Sequence, residues 1–247
     1  MKFSRQLIKQ HCPKSVPRFG ALWNYKQSVD DLTDMRESDE YTFSSQYQQE
    51  PAPPRGGLFK DRYWRYYDVL PPIFSVIRIY CDTAQKTSEK HDYSVFQCWG
   101  KVQNEGIFLI DQCRGKWEAP ELESNLIDFW NKHKSSYGKQ GAQCIKVEDK
   151  SSGSSLIQSI ERDYTIPVEP IPRFRDKVVR AYGVIKYISS GHVFLPKNAD
   201  WLFDCKDEFR IFTAFMTHKH DDQIDPTLDA VEDLLINDSQ LYTSQSL

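Results

Sequence analysis

The chain has 247 residues, 39% hydrophobic and 27% charged, with a formal net charge of −3. That length can bury one large core plus an extension, and the near-neutral balance does not advertise a nucleic-acid binder, yet it decides nothing for a protein whose acids are neutralised by bound cations. Six cysteines form no C-x-x-C pair, no apolar run approaches the roughly 18 residues of a membrane span, and the first residues carry no signal-peptide core; a soluble, cytoplasmic protein with reduced thiols and no membrane partner is expected.

Residues 1–57 are polar with scattered aromatics and a Pro-rich break at Glu50–Gly57, and they read as an arm or linker. Phe59 to Tyr67 is aromatic and basic. Such a mixture can stack on bases, but packing of the arm onto the domain is the plainer role. From Phe74 onward the pattern is regular. Strands are expected near 75–82, 93–100 and 106–112, with short polar connections that suit an antiparallel meander. A helix follows, with Leu122, Leu126, Phe129 and Trp130 on one face. A strand over 142–148 comes next, then a helix presenting Leu156, Ile157, Ile160 and Tyr164, and a short strand over 166–169. The segment 174–190 reads as a helix whose apolar side is Val178, Tyr182, Ile185 and Ile188. Further helical runs fall near 200–217 and 222–236, and 237–247 reads as a disordered tail.

Three acidic clusters end separate elements. Asp82 closes the apolar run Ile77–Cys81, Glu148 and Asp149 close Ala142–Val147, and Asp221, Asp222 and Asp225 open the last helix. An ionised carboxylate at the tip of a core strand is costly unless paired or metal-bound, although a lone Asp can also cap a turn. The order of three antiparallel strands, helix, strand, helix, strand is that of the ribonuclease-H-like mixed sheet flanked by helices. In that fold the first and fourth strands are neighbours, which would bring Asp82 beside Glu148.

Six stretches carry a family likeness in the right order: Phe43–Pro51; Asp82-Thr83-Ala84 with Asp92–Val95; Val147–Lys150 with Gly153; Asp176–Ala181; Ser190–Pro196; and His220–Asp225. From about Tyr41 to Ala230 the chain resembles the carboxyl-terminal nuclease domain of tailed-phage terminase large subunits, the DNA-packaging endonucleases. The resemblance implies a nuclease domain over 58–236 that cuts double-stranded DNA with little sequence preference. It also implies partners in packaging: a separate ATPase motor, a small terminase subunit and the portal. No Gly-Lys pair is followed by Ser or Thr, so this chain carries no P-loop ATPase motif. Another ribonuclease-H-like enzyme, such as a junction resolvase or RNA-strand hydrolase, and a non-catalytic packaging module remain as alternatives.

Phosphodiester hydrolysis needs an activated water and a leaving oxygen relieved of charge, which two cations about 4 Å apart can supply. Mg²⁺ or Mn²⁺ suits carboxylate ligands, whereas zinc would call for His and Cys sets. Asp82 is expected to bridge two ions, with Glu148 as second ligand and Asp149 in reserve. Asp222 or Asp221 is expected as third ligand, ahead of Asp225, because Asp225 before Pro226 reads as a helix N-cap occupied in capping. His218 and His220 flank that cluster and can orient a water, though surface positions are simpler. Lys177 and Arg180, with Arg173 and Arg175 upstream, are expected to meet DNA from a helix whose apolar side faces away.

Overall fold

The computed structural model describes residues 57–83, 93–137, 140–149, 152–213 and 221–237. The chain divides into two units, Met1–Gly56 and Gly57–Leu247, and every described residue belongs to the second. Of the expected arm and tail only Gly57 and Asn237 are described, and His218 and His220 also lie outside the described residues.

Among the described residues the β-prone runs form seven strands: β1 (Arg65–Tyr67), β2 (Val76–Asp82), β3 (Ser94–Val102), β4 (Gly106–Gly115), β5 (Cys144–Glu148), β6 (Val168–Ile171) and β7 (Val193–Pro196). They make one mixed sheet in the order β1-β7-β4-β3-β2-β5-β6. Strands β2, β3 and β4 pair antiparallel, and β5 lies parallel to β2 with β6 parallel beyond it, as the sequence predicts. Strands β7 and β1 extend the other edge in parallel, and neither was expected. With three or four residues each, they are too short for alternation to show.

Among the described residues five α-helices cover the sheet: α1 (Ala119–His133), α2 (Ser152–Asp163), α3 (Lys177–Ser189), α4 (Leu202–Ile211) and α5 (Ile224–Val231), the last running into a π-helical stretch Glu232–Asn237. Successive side chains of a strand point to opposite faces, so β2 feeds two cores. Ile77, Ile79 and Cys81 join Leu126 of α1 and Ile160 of α2 on one face, while Tyr80 joins Trp99, Val184 of α3 and Leu228 of α5 on the other. Fully buried side chains such as Leu126 and Ile160 each contribute about 1.5–3 kcal/mol. The aromatic stretch before β2 packs rather than projects. Phe59 stacks against Trp64 at 6.2 Å and meets Phe209 of α4 edge-on at 5.0 Å.

The parallel register of β2 and β5 sets Cys81 opposite Val147, so the next residues, Asp82 and Glu148, leave the sheet side by side. Both share a face with Tyr80 and Lys146, the face that α3 and α5 cover. A buried polar network holds α5 there. Gln97 of β3 donates to Gln112 of β4 at 2.8 Å and to the Gln223 carbonyl at 3.1 Å, and Gln112 donates to the Gln223 side chain at 2.6 Å. Thr227 donates to Gln97 at 2.9 Å. Buried amides of this kind are costly unless satisfied, so the network fixes the rotation of α5 about its axis.

Candidate metal centre

Glu148 is fixed by the turn that follows it. Gly153, on the first turn of α2, passes so close to the end of β5 that a methyl group there would meet the Glu148 carbonyl oxygen at 2.0 Å. Asp149 leaves the cluster. It is exposed, and its carboxylate accepts a hydrogen bond from Ser154 at 2.8 Å.

The third element is α5. It begins at Ile224 with Gln223 as its N-cap residue, so Asp225 lies in the first helical turn and not at the cap. This corrects the expectation that capping would occupy Asp225. Pro226 is tolerated because the first-turn amides have no partner inside the helix. The Asp225 side chain is released for tertiary contacts, and Asp229 follows one turn later on the same face.

Helix α3 supplies the opposite charge. Asp176 caps it by accepting from the Val178 amide at 2.8 Å. Its buried face is Arg180, Ala181, Val184 and Ile188, whereas Tyr182 is 57% exposed and Val178 and Ile185 are half-buried. The expected apolar face was therefore rotated, because a buried arginine was read as a solvent-facing one. Arg180 is 3% exposed and donates to Asp225 at 2.7 Å, to Glu232 at 3.1 Å and to Asp229. It does not present a DNA-binding surface. Lys177 bridges Asp221 at 2.8 Å and Asp225 at 2.6 Å. Of the four basic residues expected to meet DNA, Arg175 is the one whose side chain stands largely in solvent, 69% exposed and 3.8 Å from Glu232.

Arg173 lies in the middle of the acids. From the loop between β6 and α3, its Nη1 donates to Glu148 at 2.7 Å and to Asp82 at 3.1 Å and lies 3.6 Å from Asp225, while Nη2 donates to Asp229 at 2.6 Å. Burial pushes the Asp82 carboxyl up to about 7; Asp225 adds to the rise, Arg173 and Lys177 oppose it, and Glu148 adds again. Burial acts the same way on Asp225, but Arg173, Lys177 and Arg180 outweigh it and hold that carboxyl below the ordinary range. Asp82, Glu148 and Asp225 thus offer hard oxygen donors around one position, the donor set that Mg²⁺ and Mn²⁺ prefer. With the guanidinium between them, no three His, Cys, Asp or Glu side chains among the described residues close up into a ready-made ion cage.

The other two acids of the last cluster turn elsewhere. Asp222 lies 3.6 Å from Arg114, which pairs with Glu208 at 2.6 Å, and burial with the Glu208 charge raises the Asp222 carboxyl to about 6. Asp221 faces Lys177. Sequence reasoning missed Asp229, Glu232 and Asp233, all in the last helical run. Asp233 receives Arg78 and the Tyr80 hydroxyl, both at 2.7 Å. The signal was available in acids at 225, 229 and 232, spaced for one helix face.

The family model described as the terminase RNase H-like domain matches residues 79–234. Among solved structures, the large terminase of a thermophilic bacteriophage in complex with ADP is 14% identical with a TM-score of 0.56, covering 87% of this chain and 54% of that one. The large terminase nuclease of thermophilic phage G20c is 16% identical with a TM-score of 0.50, covering 72% of this chain and 98% of that one. The same nuclease with bound zinc gives 16% identity and a TM-score of 0.50 over 71% of this chain and 97% of that one. At such identities these likenesses bear on the fold, and the chain spans about half the length of the ADP-bound large terminase. No curated protein matches the chain. No helix among the described residues is long and apolar enough to cross a membrane. The match over 79–234 takes in well over half of the 247 residues, and the chain belongs to the terminase RNase H-like domain family.

Proposed function

We propose that this chain is a divalent-metal-dependent endonuclease of a DNA-packaging terminase, hydrolysing phosphodiester bonds of double-stranded DNA with little base preference. One observation carries the reading. Acids from three separate elements, Asp82 at the end of β2, Glu148 at the end of β5 and Asp225 on the first turn of α5, lie 2.7–3.6 Å from a single cationic nitrogen. Two Mg²⁺ or Mn²⁺ ions held there would activate the attacking water and relieve charge on the leaving oxygen. Asp82, whose carboxyl feels the charges of both Asp225 and Glu148, is the proposed bridging ligand, with Glu148 and Asp225 as its companions.

The geometry favours Asp225 over Asp221 and Asp222, because Asp225 lies 3.6 Å from the same Arg173 nitrogen that meets Asp82 and Glu148, whereas Asp222 lies beside Arg114 and Asp221 meets the outer cation Lys177. Asp149, bonded to Ser154, remains a reserve ligand. Arg175 is the proposed phosphate contact of the four basic residues, since its guanidinium is exposed beside the acid cluster. The proposal extends to partnership with an ATPase motor, a small terminase subunit and a portal, and to work in the host cytoplasm; membership of a terminase family supports it.

The test is incubation of the purified chain with supercoiled plasmid, a four-way junction and an RNA–DNA hybrid. Plasmid nicked or linearised in Mn²⁺ and spared in EDTA is the expected outcome. Exclusive cleavage of the junction or of the RNA strand would replace this reading with another ribonuclease-H-like activity, and no cleavage of any substrate would leave a packaging-assembly module.

A further inference from the structure

We propose that Arg173 is a built-in counter-cation that occupies the ion-binding position of the metal-free protein, so that divalent ions bind by displacing the Nη1 end of its guanidinium. This rests on the metal-dependent reading above. The two ends of the guanidinium are held differently. Nη2 and Nε contact Asp229 at 2.6 and 3.4 Å, and Asp229 is 1% exposed. Nη1 contacts Asp82 and Glu148, whose side chains are 16% and 12% exposed, well above Asp229. Asp229 is therefore the tether and Nη1 the movable plug.

The neighbouring cations do not duplicate this contact. Arg180 serves Asp225, Asp229 and Glu232, and Lys177 serves Asp221 and Asp225, so the acids of α5 keep partners when Arg173 moves. Asp82 and Glu148 meet their arginine from the loop that follows Pro172, outside any helix or strand. A guanidinium and a divalent ion cannot share the same carboxylate oxygens, since like charges a few ångströms apart repel strongly where water is excluded. Metal affinity is accordingly reduced by the fraction of molecules in which the plug is seated.

The experiment is Mn²⁺ titration of the wild type, Arg173→Gln and Asp229→Asn, read by the free-ion EPR signal and by thermal melting with and without EDTA. The expected result is that Arg173→Gln binds Mn²⁺ about tenfold tighter or more, melts lower than wild type in EDTA and gains more from Mn²⁺. Asp229→Asn keeps the guanidinium but loosens its tether, and its Mn²⁺ affinity should fall between the two. Unchanged or weaker Mn²⁺ binding in Arg173→Gln would overturn the plug and make Arg173 a positioning residue for the acids. Absence of Mn²⁺ binding in wild type and both variants would remove the metal-dependent reading and the plug with it.

Discussion

Arg180→Met offers a direct measure of how the acid cluster is held together. The side chain is 3% exposed and touches Asp225, Asp229 and Glu232, and methionine matches its length without its charge. Removing one partner of a buried ion pair typically costs about 3–5 kcal/mol, because the other charge is left uncompensated. In a folded unit of this size, Gly57–Leu247, that corresponds to a drop of about 10 °C in melting temperature, from roughly 2–4 °C per kcal/mol. Urea unfolding in EDTA gives the free energy directly. The paired variant Arg180→Met with Asp229→Asn should be less destabilised than the sum of the single changes, with a coupling of about 1–3 kcal/mol. A loss under about 1 kcal/mol for Arg180→Met, or strict additivity in the pair, would refute the view that this arginine neutralises buried acids.

Gly153→Ala should lower the melting temperature and weaken Mn²⁺ binding together, because its methyl would meet the Glu148 carbonyl at 2.0 Å and displace the end of β5; wild-type melting and binding would contradict this. Away from the centre, burial raises the Asp111 carboxyl, but the hydrogen bonds and charges of His133 and Lys132 outweigh it and hold the group below its ordinary value. Its contribution to stability is therefore present above about pH 4 and lost as pH falls through the lowered folded value, so the deficit of Asp111→Asn in urea midpoint should shrink on acidification. A deficit that is constant down to pH 3.5 or so would argue that shape, not charge, holds this pair. DNA affinity should fall steeply with salt, and Arg175→Ala should reduce the slope of log K against log salt by about 1, a change absent if Arg175 makes no phosphate contact. The 247-residue chain should not turn over ATP, and hydrolysis above a buffer blank would contradict the P-loop reading.

Much of the sheet was legible because its central strands are long and apolar on both faces. Runs such as Ile77–Cys81 and Tyr93–Gly100 have the length and β-branched or aromatic content that periodicity can read, and the order of elements then sets Asp82 beside Glu148. Short edge strands escaped, since Arg65–Tyr67 and Val193–Pro196 gain their identity from each other and from β4 rather than from their own pattern. The cluster was harder to read on the helical side. Arg180, Asp225 and Asp229 are charged yet buried, so any rule that sends charge to the surface turns α3 the wrong way. The start of α5 escaped for a related reason. Capping rules favoured Asp225 ahead of Pro226, but tertiary ion pairs and the Gln97–Gln112–Gln223 network fix the helix two residues earlier.

The most direct measurement is the initial rate of plasmid relaxation in Mn²⁺ by Asp82→Asn relative to wild type, on protein matched for melting and DNA binding. Substituting residues that merely support metal ligands commonly costs 10–100-fold, so loss of the proposed bridging ligand should cost more than about a hundredfold. Plasmid relaxation by purified Asp82→Asn at a rate near wild type would contradict the placement of the metal centre at the ends of β2 and β5.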